Sequence, residues 1–489
     1  MPNSKVKGSP TILSIGEGCV TKPVSNPFAL FTIGQSKLGM ETLADEIAKR
    51  VQTFKRLRKF KHGAYVASGV YFAGHGALHE QSYHLENCRM LYIKNTGVRI
   101  SNKALHNQIA KPEMLGLCKE CTEQMLAAIK DKAKMFQSIL VPASMKAIQN
   151  AWGVRAVFAY DGSQVTLREG AKANLPCKAP GHPKADGSPA APGIKLDVLY
   201  NVSSTCIERI DITEAVADER EHMHLEMLRD CLLLADRGLV SAEWEHAMYE
   251  AGVKFIFKGK ANIATETVIE AYDGKGNPLP DLIGKRYGDA KELFPEGDLD
   301  VLVRNSYGDL IRIVRQENPN QASARDGSKS DNQQFVYLRT NLLRDKAELW
   351  QLFEAYRWRW NVEFCYMMLQ QCDALQSINS GKKEIILEFI LFNLMAWMAK
   401  CYVALCALIK AKKDLFHISM IKVHMKHLVF DDLLRGLGRV GKSRMYDLIK
   451  KSIKDILEYC VRSHASQRDI DKGKNYPALT AKIAAGVAA

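Results

Sequence analysis

The strongest constraint on the fold is a change of hydrophobic period near residue 150. Before it, Leu38, Leu43, Ile47, Val51 and Phe54 follow the spacing of one face of a helix. After it the chain alternates and becomes β-branched: Val154-Arg155-Ala156-Val157-Phe158-Ala159-Tyr160 predicts a strand, with further strands over 164–167 and 194–201 joined by a Pro-, Gly- and Ala-rich loop over 171–193. A polar helix is expected over 213–229. Cys231-Leu232-Leu233-Leu234-Ala235 then reads as a short strand buried on both faces. Strand patterns return over 253–340, and from about 345 onward the chain is helical. The implied class is α/β, with helical N- and C-terminal regions around a β-rich centre. A length of 489 residues suits two to four domains. The pattern divides the chain into a mainly helical 1–150 whose first 35 residues are irregular, a first core segment 151–252, a β-rich 253–340, a helix over 341–375 and a helical 376–489.

Two strands run out in an acid. Asp161-Gly162-Ser163 follows the first, and Asp236-Arg237-Gly238 follows the buried run. Strand ends are where open α/β sheets build their sites. A third acid, Glu363, lies on the helix read over 345–375, where Tyr356, Arg359, Glu363 and Gln370 fall within an arc of roughly 60°. Trp358, Val362, Cys365 and Leu369 form its core stripe. Taken singly, each aspartate reads as a turn former or cap, and the helix as an ordinary amphipathic one. Gathered at one point, three carboxylates repel unless cations hold them, and their oxygens suit hard divalent ions.

Charge narrows the partner. Lys and Arg number 68 against 54 Asp and Glu, a net +14, which favours a polyanion. Lys55, Arg56, Arg58, Lys59 and Lys61 put five positive charges in seven residues around Leu57 and Phe60. Such a segment packs by one face and meets phosphates, or water, with the other. Two short helical patterns between 98 and 135, with Ser101 or Asn102 as a cap and Pro112 ending the first, are compatible with a helix-turn-helix reader of DNA. Basic positions from Lys410 to Arg444 suit either a second DNA surface or a solvated bundle face.

Twelve cysteines, thinly spread and often in apolar runs, read as reduced core residues of a cytoplasmic protein. Cys118 and Cys121 form a lone C-x2-C without a second pair at zinc-ligand spacing. Met1-Pro2-Asn3-Ser4-Lys5 opens without an apolar signal region. The apolar pattern over 385–409 is interrupted by Glu388, Asn393 and Lys400, so a buried bundle helix is expected and no membrane contact.

On Asp161-Gly162-Ser163, Leu234-Ala235-Asp236-Arg237-Gly238 and Tyr356-x2-Arg359-Trp360-x2-Glu363, the chain resembles the cut-and-paste DDE transposases of the insertion-sequence-four type. The last string is similar to the signature Y-(2)-R-(3)-E-(6)-K, and the resemblance covers roughly 150–375. It implies an RNase H-like, retroviral-integrase-type catalytic core with a β-strand insertion between Asp236 and Glu363. It also implies that Asp161, Asp236 and Glu363 hold two Mg²⁺ or Mn²⁺ ions, and that the enzyme cuts terminal inverted repeats and joins them to target DNA as a homodimer or larger assembly at the nucleoid. Tyr356 and Arg359, then Arg237 and Lys258, are the DNA contacts it implies. Two features depart from the family. Gln370 stands where the signature has lysine, and the 171–193 loop, with Cys177 and His182, is read as a tolerated insertion and not a metal site. The competing readings are a catalytically inactive DNA-binding protein derived from a transposase and a phosphohydrolase of small substrates.

Overall fold

The structure, a computed structural model, describes residues 11–17, 24–36, 39–50, 60–75, 85–167, 169–171, 175, 192–215, 217–259, 265–317, 334–372, 375, 378 and 380–462. Lys55, Arg56, Arg58 and Lys59 lie outside the described residues, as do Cys177 and His182.

Among the described residues ten strands form one sheet: β1 (Leu13–Ile15), β2 (Val157–Thr166), β3 (Gly193–Asn201), β4 (Cys206–Glu214), β5 (Leu232–Ala235), β6 (Lys254–Lys258), β7 (Thr267–Asp273), β8 (Leu299–Arg304), β9 (Leu310–Glu317) and β10 (Phe335–Thr340). Their spatial order is β1-β4-β3-β2-β5-β6-β10-β9-β8-β7. The pairs β2–β5 and β5–β6 are parallel and every other pair is antiparallel. The β-rich insertion therefore does not stand apart: β10 returns beside β6 and carries β9, β8 and β7 onto the same sheet.

Several expectations change here. The first strand does not stop at Tyr160; β2 runs through Asp161, Gly162 and Ser163 to Thr166, because β3 pairs antiparallel along its whole length. The helix read over 213–229 is absent. Thr213 belongs to β4, and the following segment makes two short 3₁₀ turns, Glu219–His222 and Leu225–Leu228. Thr213, at the head of that range, is buried in the sheet and donates to Asp197 Oδ2 at 3.0 Å, while most of the polar residues that follow stay at least partly open. Part of the irregular amino-terminal stretch supplies the edge strand β1.

Side-chain alternation gives the middle strands two buried faces. Val157, Ala159, Leu232, Leu234 and Ile256 join the core formed with the helices, while Phe158, Tyr160, Leu233, Ala235, Phe255 and Phe257 pack on the other side with Met248, Leu282 and Tyr287.

The helices used below are α1 (His62–Gly74), α2 (Pro112–Met135), α3 (Ala242–Glu250), α4 (Leu349–Tyr356), α5 (Trp360–Met367), α6 (Lys383–Ala411), α7 (Leu428–Gly436) and α8 (Lys442–Tyr459). Every residue of α6 from Ile385 to Leu405 is buried. By length and composition α6 would cross a membrane, yet 94% of its apolar window is covered within the fold. Each large apolar side chain so covered contributes roughly 1.5–3 kcal/mol. The polar interruptions are partnered: Lys400 Nζ donates to Gly74 O at 2.9 Å and Asn393 Nδ2 to Phe389 O at 2.8 Å. At Gly69 of α1 a Cβ would stand 2.4 Å from the Phe392 ring, so only glycine lets the two helices approach this closely.

Ser101 caps the helix Asn102–Ile109, its Oγ accepting from Ala104 N at 3.2 Å. Pro112 does not end that unit; it opens α2 at the first helical position, where no N–H is needed. α2 buries Met114, Leu117, Cys118, Cys121, Met125 and Ile129, so it is a core helix and not a reader projecting into a groove. Burial raises the Cys118 and Cys121 thiols far above their usual range and keeps them protonated.

Candidate active site

Register brings the first two acids together. Tyr160 of β2 lies beside Ala235 of β5, and Ala235 beside Phe257 of β6. The next residues, Asp161, Asp236 and Lys258, therefore stand at one level where the parallel pairing ends. By alternation all three share the face of Ala159, Leu234 and Ile256, the face covered by α4 and α5.

The helix read as continuous over 345–375 has three parts. A capping box between Glu348 and Gln351 starts α4, a 3₁₀ turn over Arg357–Arg359 tightens the path into α5, and a π turn over Met368–Cys372 follows. The core stripe holds: Trp358 is 6% exposed and Val362, Cys365 and Leu369 are 0%. The 3₁₀ and π turns break the even 100° step on which a single 60° arc depends. Tyr356 and Arg359 are buried, whereas Glu363 is partly open.

Arg359 stands among the acids. Its Nη2 lies 2.6 Å from Glu363 Oε1, and its Nε, although buried, has no hydrogen-bond partner. Burial opposes the guanidinium charge, but Tyr356, Glu363 and Asp236 outweigh it and the net shift is upward. Burial lifts the Asp161 carboxyl to about 7, with Glu219 and Glu363 adding to the rise and Arg359 and the Gly162 N–H opposing it. Gly162 N donates to Asp161 Oδ1 at 3.0 Å. Asp236 precedes a short 3₁₀ turn without capping it, and its Oδ1 is buried with no partner. Burial also raises the Tyr356 hydroxyl well above its usual range. Arg237 and Lys258 are exposed beside Asp236 and at the end of β6.

The three carboxylates are electrostatically coupled through Arg359 and are not pressed together. Among the described residues, the acidic or histidine group whose ligand atoms all lie within 4.8 Å of one another is elsewhere, at Glu17, Asp211 and His224. There Arg209 already bonds both Glu17 and Asp211 and supplies the positive charge.

Three side chains that the sequence reading did not single out build this site. Tyr366, one turn beyond Glu363, places its hydroxyl 2.6 Å from Asp161 O and 2.8 Å from Leu196 O, tying α5 to β2 and β3. Glu219 and Asp197 lie on the opposite face behind Gly162, where a Cβ would be 2.7 Å from Glu219 Oε1 and 2.9 Å from Asp197 Oδ1. The Asp-Gly pair is thus a packing requirement as well as a turn-like string. Alternation marks Lys195 and Asp197 as one face of β3, but nothing in the sequence tells that this face is covered. Gln370 Nε2 donates to Ser163 Oγ at 2.9 Å, a second tie between the glutamate-bearing helix and β2.

Removing the Tyr366 hydroxyl tests this scaffold. Tyr366→Phe is expected to lower unfolding stability by about 1–3 kcal/mol in a urea titration, because it leaves a buried carbonyl short of a donor. No loss of stability would show that the contact does not hold α5.

The acids offer hard oxygen donors, the kind Mg²⁺ and Mn²⁺ take, and the unpartnered buried Oδ1 of Asp236 is an acceptor in need of a cation or donor. The residues present fit divalent ions. Comparison with curated proteins finds no match. The profile of the family described as Transposase DDE domain matches residues 152–398, from Trp152 ahead of β2 into α6. That match spans just over half of the chain and includes Asp161, Asp236 and Glu363, so the protein belongs to the transposase DDE domain family, enzymes that cut DNA and transfer its strands with divalent metal ions.

Proposed function

We propose that this chain is a cut-and-paste transposase of the insertion-sequence-four type, cutting at the ends of an insertion sequence and joining them to target DNA. The single observation that carries the assignment of residues is the register that sets Asp161 and Asp236 side by side beneath the helix of Glu363. The spatial order β4-β3-β2-β5-β6, three antiparallel strands followed by two parallel ones, supports an RNase H-like core.

Asp161, Asp236 and Glu363 are the residues that would hold two ions, Mg²⁺ or Mn²⁺. Bound there, the ions supply Lewis-acid activation of the attacking oxygen and stabilise the leaving one. The chain's own groups position the DNA. Arg359 presents a buried guanidinium with a free Nε to a backbone phosphate, and must loosen from Glu363 as it does so. Tyr356, buried beside it, braces that side chain, while Arg237 and Lys258 extend the positive rim. Gln370 carries no charge, and its contact with Ser163 makes it a strut and not a phosphate ligand. Two DNA ends joined in one event call for a homodimer or larger assembly in the cytoplasm, and the basic segment Lys55–Arg56–Arg58–Lys59 is a further phosphate contact.

The test is a plasmid carrying the DNA that flanks the coding region. With Mg²⁺, the purified protein is expected to release the segment and join it to a second DNA. Binding without cutting would favour the inactive, transposase-derived DNA binder.

Metal binding should depend on pH in a defined direction. Asp161 keeps its proton up to about pH 7 when folded and metal-free, against about 3.9 when unfolded. Between those values the folded chain binds more protons, so this group's contribution to stability falls as pH rises through that window. A cation needs the carboxylate. The rise in Tm produced by Mg²⁺ is therefore expected to be larger at pH 8 than at pH 6, and to be lost in Asp161→Asn. Equal rises at both pH values would contradict the assignment of Asp161.

A further inference from the structure

Three distant parts of the chain bring ligand atoms together on the sheet face turned away from the three acids. Asp211 of β4 lies opposite Asp197 of β3, which lies opposite Gly162 of β2. Glu17 follows the edge strand β1, whose Ser14 pairs with Asp211, and His224 precedes the 3₁₀ turn Leu225–Leu228. Gly16 fixes the turn that carries Glu17: its φ is +100°, and a Cβ there would stand 2.5 Å from Glu208 O. His224 Nε2 lies 3.6 Å from Asp211 Oδ2, too far for a hydrogen bond. That spacing is close to the roughly 3.3 Å between two ligands of a tetrahedral ion with bonds of about 2.0–2.1 Å.

The surroundings suit coordination. His224 Nδ1 lies 3.3 Å from Glu226 Oε1, and a carboxylate behind an imidazole orients its other nitrogen as a ligand. Asp211, 2% exposed, is held by Arg209 Nε at 2.8 Å and by Ser14 Oγ at 2.5 Å. Arg209 also bonds Glu17, but one guanidinium balances only one of the two carboxylates. A separate sign is His222, which is 6% exposed. Its Nδ1 faces Thr11 Oγ1 at 3.2 Å, and its Nε2, on the other side of the ring, is buried without a partner. Burial holds this imidazole below the usual histidine range, with Asp211 opposing and His224 assisting, so His222 is neutral at pH 7 and belongs to the same cluster.

We propose that Glu17, Asp211, His222 and His224 bind a structural Zn²⁺ ion that fastens β1 and the 219–228 segment to β4. Two imidazoles and two carboxylates make a mixed nitrogen and oxygen set suited to Zn²⁺, whereas Mg²⁺ takes oxygen. Four protein ligands leave no open position for a substrate, which is the pattern of a structural ion. Closing on the ion asks the half-exposed Glu17 to loosen from Arg209 and His222 to turn its Nε2 inward.

The test uses the purified full chain, freed of metal with EDTA and titrated with Zn²⁺ alone. A single Zn²⁺ per chain is expected by elemental analysis, with a rise in Tm that a large excess of Mg²⁺ does not reproduce. Co²⁺ in its place should show the intense visible absorption of a four-coordinate site. His224→Gln and His222→Gln should each lose the ion, and Glu226→Gln, which removes only the carboxylate behind His224, should weaken binding about tenfold. Asp236→Asn should bind Zn²⁺ as the unaltered protein does, which keeps this result apart from the fate of the proposed catalytic acids. Absence of stoichiometric Zn²⁺ from the unaltered protein would overturn the proposal. So would undiminished Zn²⁺ affinity in His224→Gln, folded by circular dichroism, because the ion would then be bound elsewhere.

Discussion

Asp236→Asn is expected to reduce DNA cutting and joining by about a thousandfold or more while DNA affinity stays within a few-fold, as read by cleavage rates and filter binding on the same DNA. The size is that of removing one preorganised charged group from an active site. Asp236 is the sharpest position for the experiment because its buried Oδ1 has no partner in the fold, so it has no structural bond to lose. Asp161→Asn and Glu363→Gln should act in the same direction. Their reading is less clean, since Asp161 accepts from Gly162 N and Glu363 pairs with Arg359 at 2.6 Å. The effects of the three should not add, because residues acting as one unit fail together.

The second large effect concerns stability. Arg339 of β10 is 2% exposed and donates to both oxygens of Glu245 on α3, at 2.7 and 2.9 Å, and to Glu266 at 2.7 Å. Glu245 is itself 0% exposed. Arg339→Leu leaves two buried carboxylates without their cation, and removing one partner of such a pair typically costs about 3–5 kcal/mol. The expected result is a loss of that size in chemical denaturation, with the return strand β10 loosened and cutting lost as a consequence. Replacing Arg339, Glu245 and Glu266 together with apolar residues should recover much of the stability, because then no buried charge is left unpaired. A near-neutral Arg339→Leu would show that the triad does not hold the insertion to the core.

Much of this architecture was legible in the sequence where the hydrophobic pattern is unmixed. The unbroken Leu232-Leu233-Leu234-Ala235 run is a strand covered on both faces, and the Trp358, Val362, Cys365 and Leu369 stripe is buried as its spacing required. Legibility failed where buried positions are polar. Thr213 read as the start of a wet helix because its partner, Asp197, comes from the neighbouring strand and leaves no mark in the local pattern. Pairing of that kind overrides local pattern.

At the candidate site, the types and order of Asp161, Asp236 and Glu363 could be read, but not the way Tyr366 and Gln370 lock the glutamate-bearing helix to β2. A tyrosine three residues past a glutamate, or a glutamine where lysine is expected, carries no local sign of a bond to a strand about two hundred residues away. The single-helix reading of 345–375 failed for a related reason. The 3₁₀ turn at Arg357–Arg359 is the local adjustment that accompanies the burial of Arg359 beside Glu363, and propensity alone does not show it.

The central claim is that Asp236 is a metal ligand. It is tested most directly by exchanging its oxygen for sulfur. Asp236→Cys should be inactive with Mg²⁺, which takes oxygen ligands, and should regain cutting with Mn²⁺, which accepts a thiolate more readily. Full activity of Asp236→Cys with Mg²⁺, or no recovery with Mn²⁺ in a protein that still binds DNA, would contradict it.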